Sequence, residues 1–240
     1  MGQAISSTKQ DTNEANQAYN SDNSHSKNQQ KETIFILDWD DTLMCSNFIS
    51  LKKNGLSDEE SKLICNLGIV VSNFLKECKK KGKVIIMTNS SEEWFIKTNE
   101  NYLKISKDIL ENINIISTRD KYLKKDIERR KWKKLALDEL ITSYDNNIQN
   151  LIFASDSKSD IEIFKNFSEK NKGINISTIK FKSNPSPGTM IKEIEFLSKM
   201  LNEVIGKNKN YYLIKEKEEE TDNFNLPFGS FFDYFFLNKK

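Results

Sequence analysis

The feature that most restricts the fold is a repeated alternation in which a short, continuous apolar run of β-forming residues gives way to a longer stretch with helical spacing. Ile34-Phe35-Ile36-Leu37, Val84 to Met87, Ile113 to Ile116, Leu151 to Ala154 and Ser177 to Phe181 read as five strands. A run that is apolar at successive positions, not at every second one, fits a strand covered on both faces. Between these runs the spacing predicts helices over Ser57 to about Lys79, Glu92 to about Ile105, Trp132 to Tyr144, Asp160 to Phe167 and Met190 to Ile205. The first of these has the clearest signals. Ser57 with Glu60 forms a capping box, Leu63, Ile64, Leu67, Val71, Phe74, Leu75 and Cys78 recur at helical spacing, and Gly82 stops the helix. Strands alternating with helices in this way predict a doubly wound α/β domain with a mostly parallel sheet. Ligands of such sheets bind beyond the carboxyl ends of the strands, so chemistry is to be sought just after each strand.

Outside the alternation the composition changes. Residues 1–32 are rich in Ser, Asn, Gln, Thr and Lys and nearly devoid of apolar side chains, so they cannot bury enough surface to offset the entropy of ordering. They are expected to be a disordered spacer ahead of a folded domain at 33–206. Residues 207–240 form a charged and aromatic tail, in which Phe224, Phe228, Phe231, Phe232, Phe235 and Phe236 are six of the chain's 15 phenylalanines. The tail is expected to fold back over an apolar patch of the domain, or else to dock a partner or the bilayer interface.

Charge and rare residues exclude several classes of function. With 37 Lys+Arg against 35 Asp+Glu the chain lacks the basic excess of a nucleic-acid binder, and no nucleic-acid partner is expected. Its one histidine, His25, lies in the polar leader. That excludes Ser-His-Asp and Cys-His hydrolases and His-ligated zinc sites, and leaves carboxylates, hydroxyls and lysines to carry any chemistry. Cys45, Cys65 and Cys78 are odd in number, widely spaced and without a secretory signal, so they read as reduced thiols of a cytosolic protein. No apolar run approaches the roughly 20 residues that cross a bilayer. Met1-Gly2-Gln3-Ala4-Ile5-Ser6 nevertheless fits the M-G-x-x-x-[ST] signal for N-myristoylation at Gly2. The expectation is a cytoplasmic protein held peripherally at a cytosolic membrane surface. One acyl chain binds reversibly, and the leader offers no cysteine as a second anchor, while Asp11, Glu14 and Asp22 offset its lysines.

The strand ends gather acids and hydroxyls. Asp38, Asp40, Asp41 and Thr42 follow the first strand, Thr88, Asn89 and Ser90 the second, and Asp156, Ser157 and Asp160 the fourth. Carboxylates converging on one crevice resist ionisation unless a cation sits among them. Hard oxygen ligands without imidazole or thiolate favour Mg²⁺, which keeps waters and bridges to a phosphate.

In these positions the chain resembles the haloacid dehalogenase superfamily of aspartate-nucleophile phosphohydrolases. Ile34-Phe35-Ile36-Leu37-Asp38-Trp39-Asp40-Asp41-Thr42 is similar to the first motif, hhhhDxDx[TV], in full, and Val84 to Asn89 to the second, a strand ending in Thr or Ser. Ser155-Asp156-Ser157-Lys158-Ser159-Asp160 is similar to the fourth, DxxxD, with Ser155 where glycine is frequent. The Asp38-Trp39-Asp40-Asp41-Thr42-Leu43 wording, the Trp132-Lys133 pair and the Lys180-Phe181 strand also resemble an uncharacterised branch found in protists and algae. The resemblance implies a Rossmannoid domain in which Asp38 attacks phosphorus, Asp40 serves as general acid and base, and Thr88, Asn89 and Lys133 hold the phosphate. It also implies a Mg²⁺ site from Asp38, the Asp40 main-chain carbonyl and Asp156, with Asp160 contributing through water or from behind. The third motif is a single lysine, for which Lys131, Lys133 and Lys134 compete. Lys133 shares a helical face with Ala136, Leu137, Leu140 and Tyr144, whereas Lys131 lies with Lys134 and Asp138. A lysine on a buried face needs a fixed partner, so Lys133 is chosen.

About fifteen residues separate Thr42 from the helix near Asp58, and about as many separate Ser117 from Lys133, so no large cap domain is expected. By resemblance, capless members act on bulky or macromolecular phosphorylated substrates. Thr118 to Lys134 carries nine basic and three acidic residues, either a solvated loop or a landing patch for an anionic substrate or acidic membrane. The expected function is a Mg²⁺-dependent phosphatase that hydrolyses a phosphomonoester through an aspartyl-phosphate. The alternative is an inactive binding module on the same fold at the membrane; intact Asp38, Asp40, Thr88, Lys133 and Asp156 favour the enzyme.

Overall fold

The computed structural model describes residues 32–144 and 147–207 and the backbone of 210–212. The apolar runs form β1 (Glu32–Leu37), β2 (Lys83–Thr88), β3 (Asn114–Ser117), β4 (Ile148–Ser155) and β5 (Asn175–Lys180), and a short β6 (Asn210–Tyr212) completes the sheet. The strand order is β3-β2-β1-β4-β5-β6 and every neighbouring pair is parallel. Eight α-helices intervene among the described residues: α1 (Ser46–Ser50), α2 (Asp58–Lys81), α3 (Glu92–Thr98), α4 (Lys107–Leu110), α5 (Thr118–Tyr122), α6 (Trp132–Thr142), α7 (Lys158–Lys170) and α8 (Pro187–Val204).

Strand periodicity sorts the core into two layers. Phe35, Leu37, Val84, Ile86, Ile152 and Ala154 face α2 and α8, while Ile34, Ile36, Ile85, Met87, Leu151 and Phe153 face α6 and α7. Both faces of the central strands are therefore buried, which is why their sequences are apolar at successive positions. Helix α2 begins at the Ser57 and Glu60 capping box and ends before Gly82. A methyl group at Gly82 would overlap the Thr33 carbonyl, so the helix can turn into β2 only with glycine at that point.

Several elements differ from the sequence expectation. The stretch expected as one helix from Glu92 to Ile105 is α3 followed by a π-helical turn at Asn99–Leu103 and a left-handed Lys104. The Asn99 side chain accepts from the Ile105 amide at 3.0 Å and donates to its carbonyl at 3.1 Å, which draws the chain out of the α path. β4 starts at Ile148, three residues earlier than expected, and carries a buried Asn150. Its amide donates to Thr33 Oγ1 on β1 and accepts from Asn175 on β5, so a polar residue is satisfied inside the sheet. At the far edge, Gly206 takes φ 77° and returns the chain from α8 into β6, which continues the sheet beyond the expected boundary at 206.

The segment from β1 to α2 holds only α1, and that from β3 to α6 only α5 and two 3₁₀ turns, so no large cap domain is present at either place. Cys45, Cys65 and Cys78 are free, and among the described residues no helix is long and apolar enough to cross a membrane. The expected spacer with Gly2 and His25 and the aromatic tail lie outside the described residues.

For the site, the consequence is the order β2-β1-β4 at the centre. Leu37 is in register with Ile86 on one side and Ala154 on the other. The residues after β1, β2 and β4 therefore emerge side by side at one edge, where the winding changes direction.

Candidate active site

The β1 strand hands over to a tight loop. The amides of Thr42, Leu43 and Met44 converge on the Trp39 carbonyl, and Asp41 adopts a left-handed conformation with φ 51°. Asp41 Oδ1 accepts the Asn47 amide at 3.0 Å at the start of α1, a turn and capping role. Trp39 points into the core, where its indole donates to Thr98 Oγ1 at 2.9 Å and meets Phe95 edge-on at 4.4 Å between centroids. The loop is thus pinned from below at the sheet edge, with Asp38 buried and Asp40 half-buried.

Asp38 is 5% exposed, and its Oδ1 accepts the Trp39 amide at 2.8 Å. Its Oδ2 receives Lys133 Nζ at 2.8 Å and the Ser155 hydroxyl at 3.1 Å. Lys133, only 2% exposed, also pairs with Asp160 Oδ2 at 2.5 Å. Of the three candidate lysines it alone is buried: Lys134 pairs with Asp138 at 2.6 Å on the solvent side of α6, and Lys131 is exposed in the preceding turn. Asp160 is buried, contacts Lys133, and lines the cavity beside it. Its carboxylate forms an ion pair that holds the lysine in place, as a group contributing from behind the site would.

Ser155 also acquires a role that the sequence pattern did not carry. Its hydroxyl lies 3.1 Å from both Asp38 Oδ2 and Asp160 Oδ2 and accepts the Ser157 amide at 3.1 Å. The glycine frequent at this position has no hydroxyl to place between two carboxylates.

Asp40 collects four donors. Ser46 Oγ (2.5 Å) and Trp94 Nε1 (2.8 Å) donate to its Oδ1, and Thr88 Oγ1 (3.0 Å) and Ser90 Oγ (2.7 Å) to its Oδ2. Three of these are hydroxyls, which can rotate between donating and accepting, while the indole only donates. Asp40 can therefore be held in place whether or not it carries a proton. Trp94 and Ser46 are parts of the site that local sequence reasoning did not reach, and Ser90, noted there only as a strand-end hydroxyl, proves to hold Asp40. Trp94 sits on α3 one turn before Thr98, so one helix face grips Asp40 and Trp39 together.

Thr88 is fully buried and spends its hydroxyl proton on Asp40, and its oxygen accepts the Ser90 amide at 3.0 Å. Asn89 Oδ1 accepts from Thr118 at 2.6 Å, which leaves the donor end of its amide for the cavity that it lines with Lys133. Thr42 Oγ1 takes the Asp156 amide at 3.0 Å and ties the first loop to the fourth. All the expected site residues within the described part of the chain, Asp38, Asp40, Thr88, Asn89, Lys133, Asp156 and Asp160, lie at this one edge. A larger hollow of about 480 Å³ at the opposite end of the strands, lined by Glu32, Lys83 and Tyr144, holds none of them.

The charges at this edge do not balance. Burial pushes the Asp38 carboxyl upward, Asp160 adds to the shift, and Lys133 opposes it. The lysine stays protonated because Asp38 and Asp160 outweigh its own burial. Asp156 is pushed up to about 7, first by burial and then by Asp38 and Asp41. The acids at this edge, Asp38, Asp40, Asp41, Asp156 and Asp160, outnumber the two lysines acting on them, Lys133 and Lys180, and leave an excess of negative charge among oxygen ligands only, a donor set that fits Mg²⁺. Among the described residues no three acidic, cysteine or histidine side chains are close enough to hold an ion by themselves. Asp38, Asp156 and the Asp40 carbonyl would hold it with waters and substrate oxygens completing the shell, the ordinary habit of Mg²⁺.

A strand-end carboxylate on a doubly wound sheet, backed by a buried lysine and followed by a second aspartate two residues on, defines a phosphohydrolase of the haloacid dehalogenase type. The family model for NLI interacting factor-like phosphatase matches residues 33–203, and the chain belongs to that family. No curated protein and no solved structure matches the chain.

The excess charge has a pH signature. Asp38 and Asp156 hold protons more tightly folded than unfolded, so their burial costs least below the ordinary carboxylate range and most above their raised values. Glu193, buried and also pushed up to about 7, acts in the same direction. Without divalent cations the melting temperature is expected to rise as pH falls from about 8 to 5.5. Mg²⁺ is expected to raise it more at pH 8 than at 5.5, because protons compete for the same carboxylates. Scanning calorimetry in chelator and in Mg²⁺ checks both; an equal Mg²⁺ effect at the two pH values would contradict the assignment.

Proposed function

We propose that this phosphatase hydrolyses a phosphomonoester through an aspartyl-phosphate on Asp38, with Mg²⁺ as cofactor. The observation that carries the reading is the Lys133 bridge between Asp38 and Asp160 beside a four-fold-held Asp40. A carboxylate needs no activating base, so an Asp38 oxygen attacks phosphorus directly and forms the new P–O bond as the ester P–O bond breaks. The leaving oxygen takes its proton from Asp40, which then removes a proton from the water that attacks the aspartyl-phosphate and releases inorganic phosphate. Lys133 Nζ, 2.8 Å from Asp38 Oδ2, is placed to donate to a phosphoryl oxygen arriving there, and the Asn89 amide to a second. Thr88 acts mainly by holding Asp40. Bound Mg²⁺ would supply charge neutralisation between the Asp38 and phosphate oxygens.

In Mg²⁺ the full chain is expected to hydrolyse a generic aryl phosphate, and Asp38→Asn to lower kcat by about 10³-fold or more. Activity of Asp38→Asn equal to wild type would remove Asp38 as the nucleophile.

We also propose that Gly2 is myristoylated and that the acyl chain brings the phosphatase reversibly to a cytosolic membrane surface, a reading supported by the Met1–Ser6 pattern. Labelling with a clickable myristate in cells is expected to mark the wild type and not Gly2→Ala. Equal labelling of the two would exclude the modification at this position.

A further inference from the structure

We propose that Arg129 and Arg130 recognise a second anionic group on the substrate, so that the preferred substrate class is a phosphomonoester bearing another phosphate near the scissile one. The inference rests on the phosphatase reading above and concerns the same crevice.

The two arginines line, together with Asn89, Lys133, Ser159 and Asp160, a cavity of about 350 Å³. Asp38 does not itself line this cavity, but Lys133, which does, is 2.8 Å from the Asp38 carboxylate, so the cavity adjoins the nucleophile, and both arginines in its lining are exposed. A volume of this order takes more than one phosphate, and its lining carries three cationic side chains against one carboxylate. Asp160 is already engaged with Lys133 and Ser155, so the outer part of the cavity is left to the guanidinium groups.

The nine basic residues between Thr118 and Lys134 do not form one diffuse patch. Lys121 is paired with Glu139, Lys125 lies over the Tyr122 ring at 5.4 Å, and Lys134 is paired with Asp138. Only Arg129, Arg130 and Lys133 of that stretch line the cavity. The turn that carries the arginines is anchored. Trp132 is buried and its indole donates to the Ile127 carbonyl at 2.7 Å, while the Lys131 amide donates to the Glu128 carbonyl at 2.9 Å. Glu128 holds Arg130 through Nε at 2.6 Å, which leaves the paired terminal nitrogens outside that contact. A guanidinium fork on a fixed backbone matches the oxygens of a phosphate in a way that a flexible ammonium does not.

The test compares phenyl phosphate with benzene-1,3-diyl bis(phosphate), which differ only in the second phosphate, using the full chain in Mg²⁺. Wild type is expected to favour the bisphosphate in kcat/KM by tenfold or more, mainly through KM, and Arg129→Ala/Arg130→Ala to reduce that ratio to about twofold. Lys124→Ala/Lys125→Ala, which loses the same charge away from the cavity, is expected to keep the ratio. No preference in wild type, or an equal collapse in both double variants, would overturn the proposal in favour of general attraction. Calorimetric titration of the Asp38→Asn protein with the two compounds, with and without the arginines, separates this proposal from the catalytic one. Preferential binding of the bisphosphate that depends on the arginines supports the site even without turnover, and equal binding of the two compounds refutes it.

Discussion

Lys133 is the constraint around which the rest is arranged. A protonated amine at the centre of a folded domain is tolerated only if paired and hydrogen-bonded, and here two carboxylates from different strand ends meet it. Removing one partner of such a buried group costs about 3–5 kcal/mol in comparable cases, which is a large part of a domain's whole stability. The lysine therefore fixes the end of β1, α6 and the start of α7 relative to one another, and the same contacts hold Asp38 in place. Stability and chemistry draw on one ion-pair cluster.

The cluster is deliberately uneven. With Asp156 and Asp160 near Asp38, Lys133 and Lys180 do not balance the acids, and a divalent cation would offset the surplus and make room for an anionic phosphate. Around it the supports are neutral hydrogen bonds: Ser155 between two carboxylates, and Ser46, Thr88, Ser90 and Trp94 on Asp40. The two aspartates of the first motif are thereby placed in different surroundings, one buried against a cation and one half-buried among three hydroxyls and an indole. That difference suits a nucleophile next to a proton-transfer group.

Much of this was legible in the amino-acid order because it rests on local periodicity. Continuous apolar runs mark strands buried on both faces, and the 3.6-residue repeat alone separates Lys133 from Lys131 and Lys134. What was not legible depends on partners distant in the chain. Trp94 is 36% exposed and lies on the outer face of a short helix, so its bond to Asp40, 54 positions away, leaves no local trace. Asn150 breaks an apolar strand pattern and is accommodated by Thr33 and Asn175, which only the sheet brings together. The three residues of β6 are too few for periodicity to register, and the π turn after α3 follows from one side chain, Asn99, closing on Ile105. The ion pair of Asp160 with Lys133, 27 positions away, likewise appears only once the fold brings α6 and α7 together.

The central claim is that Asp38 carries the phosphoryl group. Its most direct measurement is to quench the full chain in acid during turnover of an aryl phosphate in Mg²⁺, reduce with borohydride, and map the product by peptide mass spectrometry. An aspartyl-phosphate is reduced to homoserine, so the expected result is homoserine at position 38 in the turning-over enzyme and none without substrate. Homoserine at another aspartate, or ester hydrolysis with position 38 unaltered throughout, would contradict it.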